Sequence, residues 1–139
     1  MIRVKFYDEV ADELLKFAVI VSKYNGKWVF CKHKNRDTYE CPGGHRENNE
    51  VIEDTAKREL WEETGAKTFD LIPICVYSVL DDDQETFGML YFAEIYSLEK
   101  LPPLEIERIE LFDLLPKDWT YPKIQPMLLQ KVSEIIFNK

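Results

Sequence analysis

The chain has 139 residues, of which 45% are hydrophobic, and its formal net charge is −8 at pH 7. This composition predicts a folded protein, organised as a single domain over residues 1–139. The sequence contains no apolar run long enough for a membrane-spanning helix and no basic stripe of the kind that binds DNA. Its three cysteines, Cys31, Cys41 and Cys75, form no closely spaced pair, which argues against a disulfide framework or a structural zinc site. The N-terminus is charged and alternating rather than a targeting segment, so we expect a cytoplasmic protein.

The first part of the chain predicts β-strands followed by a glycine-rich turn. Residues 2–7 alternate between apolar and polar side chains, and β-rich runs cover residues 15–24 and 27–33. Asn25 and Gly26 join the last two runs and are the strongest short hairpin signal in the sequence. A polar loop then leads to Pro42-Gly43-Gly44, a predicted turn that requires either positive φ or a close backbone approach.

A helix in the middle of the chain separates these strands from a second β-rich region. Residues 51–64 carry Ile52, Ala56 and Leu60 on one stripe, and Gly65 follows as a stop signal. The later segments are predicted as strands 69–80 and 85–97 joined by an acidic hairpin loop 81–83, a short strand 109–112, and a closing helix 122–137. Strands on both sides of one helix indicate an α/β sandwich with a mixed sheet.

An acidic cluster lies on the predicted central helix. At about 100° per residue, Glu59, Glu62 and Glu63 share one side, next to the stripe that faces the sheet. Like charges at this spacing destabilise a helix, and glutamates near its C-terminal end oppose the helix dipole. Bound Mg²⁺ would reverse the effect because it prefers oxygen ligands and leaves coordination sites for phosphate. The alternative is a solvated acidic face, which is the usual role of an isolated Glu-x-x-Glu-Glu.

The residues around this cluster have a specific spacing. Gly44 is followed by five residues and Glu50, and then by seven residues and Arg58-Glu59-Leu60-Trp61-Glu62-Glu63-Thr64-Gly65-Ala66. This pattern resembles the Nudix box, Gly-x5-Glu-x7-Arg-Glu-apolar-x-Glu-Glu-x-Gly-apolar, at every defined position. The resemblance implies the Nudix fold, an α-β-α sandwich with a mixed β-sheet. It also implies a hydrolase that cuts a diphosphate linkage in a nucleoside diphosphate-X substrate.

The resemblance assigns the metal site to the box. Nudix hydrolases hold a divalent cation, usually Mg²⁺ with Mn²⁺ as a possible substitute, and Glu59, Glu62 and Glu63 match their metal ligands. The backbone carbonyl of Gly43 occupies a place where the family often has a further ligand. One box or loop glutamate also acts as the general base on the attacking water. Here Glu59 is the first choice for that base, and Glu62 is the second.

Other acidic and basic residues receive supporting roles. By resemblance, Arg58 and Glu50 form the family's salt-bridge pair, and Arg58 can orient a neighbouring glutamate through a forked contact. Many family members add a metal-binding glutamate from outside the box. Glu105 is the best-placed candidate, and Glu107 and Glu94 are alternatives, although each of them is also an ordinary choice for an exposed surface position.

The substrate contacts are expected before and within the glycine turn. Lys32 and Arg36 can donate charge-assisted hydrogen bonds to phosphates, Tyr39 can stack on a base, and Gly44 allows close approach. The alternatives are a solvated hairpin end for the two cations and a core position for the tyrosine. This region resembles the MutT and YtkD branch of the family, but it departs at Cys41, where that branch often has Phe.

The branch resemblance implies a nucleotide substrate. The favoured reaction converts a (deoxy)nucleoside triphosphate to the monophosphate and pyrophosphate, with 8-oxo-dGTP as one candidate. The alternatives are hydrolysis of ADP-ribose, nucleotide sugars or RNA 5′ ends, and a non-catalytic ligand-sensing domain. Since sensing domains usually lose catalytic carboxylates, the complete glutamate set argues against the last of these. Many relatives dimerise, so a homodimer is possible.

Overall fold

Strands dominate the architecture, and one helix interrupts them. The computed structural model describes residues 1–137 of the chain. The strands are β1 Ile2–Tyr7, β2 Leu15–Tyr24, β3 Lys27–His33, β4 Tyr39–Glu40, β5 Gly43–His45, β6 Ala66–Asp81, β7 Gln84–Leu98 and β8 Ile106–Phe112. The helical elements are a 3₁₀ turn Asp12–Leu14, α1 Ile52–Thr64, α2 Gln125–Val132 and a π-helical turn Ser133–Phe137.

The three N-terminal strands have the predicted bounds, and their hairpin forms at the predicted turn. Asn25 and Gly26 adopt φ of 53° and 77°, the left-handed backbone that a two-residue hairpin requires. The predicted turn at Pro42-Gly43-Gly44 is wrong, because Gly43 and Gly44 belong to β5 and pair with β2. Of the two explanations offered for these glycines, close backbone approach is the correct one, since neither has positive φ.

The ends of the two α-helices can also be compared with the sequence predictions. Helix α1 ends at Gly65, whose φ of 77° and N–H bond to the Trp61 carbonyl form the expected left-handed cap. Helix α2 begins at Gln125 rather than at residue 122, because Ile124 has non-helical torsions and Pro126 fits only the first turn. No helix among residues 1–137 is long and apolar enough to cross a membrane.

All strands belong to one mixed sheet. Its main path runs β1-β6-β7-β2-β3-β4, while β5 adds to β2 and β8 adds to β3. Strands β2 and β7 pair in parallel, with Val19 opposite Leu90, and the other pairs are antiparallel. Strand β2 has β7 along one side. Its other side pairs with β5 up to Val19 and with β3 further along the strand.

The two helices cover opposite faces of the sheet. Ala56 and Leu60 of α1 pack against one set of strand residues, Ala18, Ile20, Val29, Tyr91, Ala93 and Ile95. The α2 side packs against residues of the other parity, Val21, Phe30, Leu90 and Phe92. This arrangement confirms the α-β-α sandwich with a mixed sheet.

Candidate active site

The three box glutamates emerge beside the buried stripe of α1. Ala56 and Leu60 are fully buried against the sheet, and Glu59 and Glu63 flank that stripe. The Glu59 side chain is only 12% exposed and that of Glu62 is 32% exposed. These carboxylates therefore do not form the solvated acidic face that was the alternative interpretation of the helix.

Gly44 makes room for the Glu59 carboxylate. A β-carbon placed on Gly44 would overlap the Glu59 side chain, so any other residue would displace it. Gly43 is restricted in a similar way, because its β-carbon would lie 2.5 Å from the Ala18 carbonyl oxygen on β2. The two glycines thus allow strand β5 to lie directly against both β2 and the acidic side of α1.

Glu63 is held by the backbone of the same strand. Its Oε1 accepts the Gly43 N–H at 3.0 Å. Gly43 therefore borders the carboxylate cluster as predicted, but the contact seen here uses its N–H. The role of its carbonyl as a cation ligand remains a prediction.

Burial and mutual repulsion make two of these glutamates weak acids. Burial, followed by the charge of Glu62, raises the pKa of Glu59 to about 7. Burial also raises the pKa of Glu63 to about 8, against the opposing effect of the Gly43 hydrogen bond and with further contributions from Glu59, Glu40 and Glu105. The cluster accordingly resists full ionisation at neutral pH without a compensating positive charge.

Arg58 is anchored to Glu50 and reaches toward the cluster. Its Nε and one terminal nitrogen donate to the two Glu50 oxygens at 2.8 and 3.1 Å, a forked contact. The second terminal nitrogen lies 3.5 Å from Glu59 and 3.4 Å from Glu62. Arg58, helped by Thr55 and Glu47, lowers the pKa of Glu50 to about 2, so this carboxylate stays charged. The predicted salt-bridge pair is therefore present in the structure.

The donor set fits a hard divalent cation. Carboxylate oxygens from Glu59, Glu62 and Glu63 are the ligands that Mg²⁺ prefers, and the raised pKa values show where positive charge would be stabilised. Among residues 1–137, no three acidic, histidine or cysteine side chains already converge as a complete cation site. The carboxylates contact Arg58 and Gly43 instead, so cation binding would exchange these contacts for coordination.

A cavity of about 760 Å³ opens beside the glutamates. Its lining includes Arg58, the three glutamates and both glycines, together with the candidates Arg36 and Glu105. Apolar and aromatic side chains complete much of the lining and include Phe17, Cys41, Tyr77, Val79, Leu104, Ile106, Ile124 and Leu128. This size and this mixture of residues suit a ligand that carries both charged groups and a flat or apolar group.

Two predicted substrate residues lie outside the cavity lining. Lys32 is buried, and its ammonium is 3.1 Å from Glu107. Tyr39 packs edge-to-face on Phe112, and its hydroxyl accepts a bond from Arg108 at 3.3 Å. Both side chains therefore stabilise the β3-β4-β8 edge of the sheet, and the core alternative describes Tyr39 better than base stacking.

The three candidate glutamates from outside the box differ in their surroundings. Glu105 lines the cavity 3.7 Å from His33, and its charge contributes to the raised pKa of both Glu59 and Glu63. Glu107 is engaged with Lys32 and Arg108, and Glu94 lies on β7 away from the cavity lining. Glu105 remains the best-placed extra ligand of the three.

Several cavity residues were not identified from the sequence. Glu40 is only 12% exposed and contacts Arg36 at 3.0 Å, which places another largely buried carboxylate near the cluster. Phe17 and His45 form a tilted ring pair with centroids 4.6 Å apart. Gln125 reaches the cavity from α2. The proximity of Glu40 to the box could have been inferred from their short separation in sequence. The positions of Phe17 and Gln125 in the cavity depend instead on packing between elements that are distant in sequence.

The family is established by comparison with known proteins. Residues 14–124 match the NUDIX domain family, so the chain belongs to that family. Its members include hydrolases acting on acid anhydrides, and this chain is an enzyme of that class.

Matches from Bacillus subtilis extend over nearly the whole chain. YtkD of strain 168, provisionally named an 8-oxo-dGTP diphosphatase, is 32% identical over 96% of this chain and 90% of its own length. The crystal structure of a mutant of the pyrophosphohydrolase BsRppH is 29% identical, with a TM-score of 0.81 over 99% of this chain and 93% of that one. The phosphatase NudJ of Escherichia coli (strain K12) is 31% identical over 65% of this chain and 52% of its own length.

Proposed function

We propose that this protein hydrolyses (deoxy)nucleoside 5′-triphosphates to the monophosphate and pyrophosphate, with Mg²⁺ held by Glu59, Glu62 and Glu63. The observation that carries the proposal is the cavity, which is lined both by the box carboxylates and by apolar residues such as Phe17 and Val79. The similarity to YtkD supports this substrate class and suggests oxidised purine nucleotides as candidates.

The carboxylate cluster would supply the chemistry at phosphorus. When bound, the metal ion neutralises the diphosphate and lowers the pKa of an attacking water. Glu59 is the first candidate for general base, because its carboxylate lines the cavity and is largely shielded from bulk solvent. Glu62 is the second candidate, since it is more exposed and lies on the same helix side.

The neighbouring cations would position the phosphates and the carboxylates. Arg58 keeps Glu59 and Glu62 together on one side while it is anchored on Glu50. Arg36 is partly exposed at the cavity wall and is the cavity residue best suited to contact a substrate phosphate. Gly44 contributes indirectly, because its missing β-carbon leaves the space that the Glu59 carboxylate occupies.

A second candidate substrate is the triphosphate at an RNA 5′ end. The observation that favours it is the similarity to BsRppH over nearly the full chain, combined with a cavity that opens to the surface. The bond cut is the same in both cases. The two candidates differ in whether a nucleotide chain continues beyond the ribose.

A substrate panel decides between these reactions. Purified protein with Mg²⁺ is mixed in turn with the four standard deoxynucleoside triphosphates, 8-oxo-dGTP, ADP-ribose and a short 5′-triphosphorylated RNA, and pyrophosphate and phosphate release are measured. The proposal expects pyrophosphate from free triphosphates with the highest kcat/KM in the panel. Turnover of RNA alone would replace it with the second candidate, and turnover of ADP-ribose alone would contradict both.

A further inference from the structure

His33 is the last residue of β3 and lines the same cavity as the box carboxylates. Alternate residues of a strand share a face, so His33 points to the same side of the sheet as Cys31. The Cys31 thiol donates to the Glu63 carbonyl of α1 at 3.4 Å, which identifies that side as the one covered by the acidic helix. The histidine side chain is only 19% exposed, and the proposed reaction gives it no role.

The loop after β3 determines which nitrogen of the His33 ring carries the proton. The Asn35 N–H donates to Nδ1 at 3.1 Å, so Nδ1 must be an acceptor. The proton is therefore on Nε2, which lies 3.7 Å from a carboxylate oxygen of Glu105. The imidazole thus presents a donor to this acid, while the chain fixes its other nitrogen.

The backbone of Glu105 is fixed, although its carboxylate is not buried. Its carbonyl accepts the Lys34 N–H at 3.0 Å. The next residue, Ile106, pairs with His33 across the sheet and is 2% exposed. The Glu105 side chain is nevertheless 77% exposed. Within the part of the chain that the structure describes, His33 is the one basic side chain in ion-pair range of that carboxylate.

Glu105 needs such a partner because the neighbouring acids repel it. Its negative charge adds to the effect of burial in raising the pKa of Glu59 and of Glu63, so it lies within electrostatic range of both. Without a bound cation, this repulsion favours rotamers that turn the Glu105 carboxylate into solvent. A glutamate that is free to turn also loses rotamer entropy when it binds a cation, and a partner that holds it in advance lowers that cost.

We propose that His33 is a positioning residue that holds the Glu105 carboxylate toward Glu59 and Glu63, and so prepares it to bind the divalent cation. The inference rests on the proposed function, because it assumes that the box glutamates bind Mg²⁺. The imidazole acts through Glu105, since its Nε2 carries the proton and faces that carboxylate. The competing role is direct donation from His33 to a substrate phosphate, which would not depend on Glu105.

Two amide substitutions separate the two nitrogens of the ring. His33→Asn can keep an acceptor for the Asn35 N–H and removes the donor to Glu105, whereas His33→Gln can keep a donor at the place of Nε2. Both are made alone and together with Glu105→Gln. Lys34→Gln is the matched control, because Lys34 is exposed next to His33. Binding of Mg²⁺ alone is measured by calorimetry, and kcat and KM for a nucleoside triphosphate are measured over a range of Mg²⁺ concentrations.

His33→Asn should weaken Mg²⁺ binding by about tenfold, the lower end of the range for residues that orient metal ligands. The Mg²⁺ concentration for half-maximal rate should rise in proportion, while KM for the triphosphate at saturating Mg²⁺ changes by less than about twofold, well below that range. His33→Gln should restore most of the affinity, and Lys34→Gln should match the wild type. In the Glu105→Gln background, His33→Asn should have no further effect, because both changes remove the same contact.

Three results would overturn the positioning role. These are an unchanged Mg²⁺ affinity in His33→Asn, a loss of equal size that persists in the Glu105→Gln background, and a raised triphosphate KM at saturating Mg²⁺, which would assign His33 to the substrate. Each of them leaves triphosphate hydrolysis by the wild type intact. A wild type that neither binds Mg²⁺ nor needs it for turnover would instead contradict the proposed function.

Discussion

Arg58 binds Glu50 through two hydrogen bonds of 2.8 and 3.1 Å, and the terminal nitrogen that makes the longer of the two also donates to the His45 carbonyl at 2.9 Å. This residue pair connects the loop before α1 to the acidic side of the helix. Glu50 and His45 therefore fix the guanidinium independently of its contacts with Glu59 and Glu62. Its geometry is a property of the planar fork, which a lysine ammonium cannot reproduce.

Replacement of Arg58 by lysine should lower kcat while the positive charge is retained. We expect a decrease of about 10- to 100-fold, because the carboxylates that bind the metal lose their orientation. Steady-state kinetics with saturating Mg²⁺ measure the effect. Lys57→Arg, on the exposed side of the same helix, is the control and should behave as wild type. Activity within about twofold of wild type, far short of that range, would remove Arg58 from the positioning role.

Glu59→Gln should reduce kcat by about 10²–10⁴-fold, since it removes both basicity and a charge at an unchanged volume. Single-turnover rates as a function of Mg²⁺ concentration separate the loss of the base from weakened metal binding. Glu53→Gln is the matched control, because Glu53 is exposed at the start of the same helix. A rate near that of wild type would transfer the general-base role to Glu62 or to a loop acid.

Metal binding should stabilise the protein through Glu63. At a hundredfold excess over Kd, a cation that binds only the folded state adds about 2.7 kcal/mol, which for a chain of 139 residues raises Tm by about 9 °C. Glu63→Gln should reduce this rise and leave the metal-free protein no less stable, since one member of a repelling cluster is gone. Melting curves with and without Mg²⁺ at constant ionic strength provide the measurement. Equal metal-induced shifts in both proteins would exclude Glu63 as a ligand.

The metal-free protein should lose stability as the pH rises from about 4.5 to 8. Glu59 and Glu63 have folded-state pKa values of about 7 and about 8, above the ordinary value of 4.5. Their contribution is therefore fully present below pH 4.5 and is lost as the pH passes through the folded-state values. Urea unfolding across this range with chelator should show a decrease of at least about 1 kcal/mol.

Saturating Mg²⁺ should weaken or reverse this slope, because the cation binds the ionised carboxylates. The Glu63→Gln variant should also have a shallower slope in chelator, and the difference from wild type isolates these groups from other titrations. A metal-free stability that stays flat or rises over the same interval would contradict the buried, repelling cluster.

Local sequence signals predicted most of the fold. The alternation in residues 2–7 and 15–24, the Asn25-Gly26 turn and the Gly65 cap are local features, and the structure confirms each of them. The shared side of Glu59, Glu62 and Glu63 could be predicted because the spacing of residues along a helix fixes their relative directions, whatever packs around them. The strand formed by Gly43 and Gly44 was missed because their role depends on contact with β2 and α1, which the local sequence does not show.

The substrate-contacting residues could not be predicted in the same way, because their surroundings come from elements that are distant in sequence. Lys32 and Tyr39 were assigned to substrate from residue type, but β8, which lies far along the chain, supplies Glu107, Arg108 and Phe112 as their partners. Gln125 was overlooked because a glutamine in an amphipathic helix usually faces solvent. Only the approach of Cys41 to α2 makes it a buried hydrogen-bonding residue.

The parallel pairing of β2 with β7 has a consequence for folding order. Val19 cannot meet Leu90 until the chain between them, which includes α1 and β6, has been brought into place. The β6-β7 hairpin needs only a two-residue turn at Asp82 and Asp83, so it can form early from local contacts. We expect pulse-labelled hydrogen exchange during refolding to protect β6 and β7 before β2. The active-site strand β5, which is paired to β2, would then be completed among the last elements, and simultaneous protection of β2 and β7 would contradict this order.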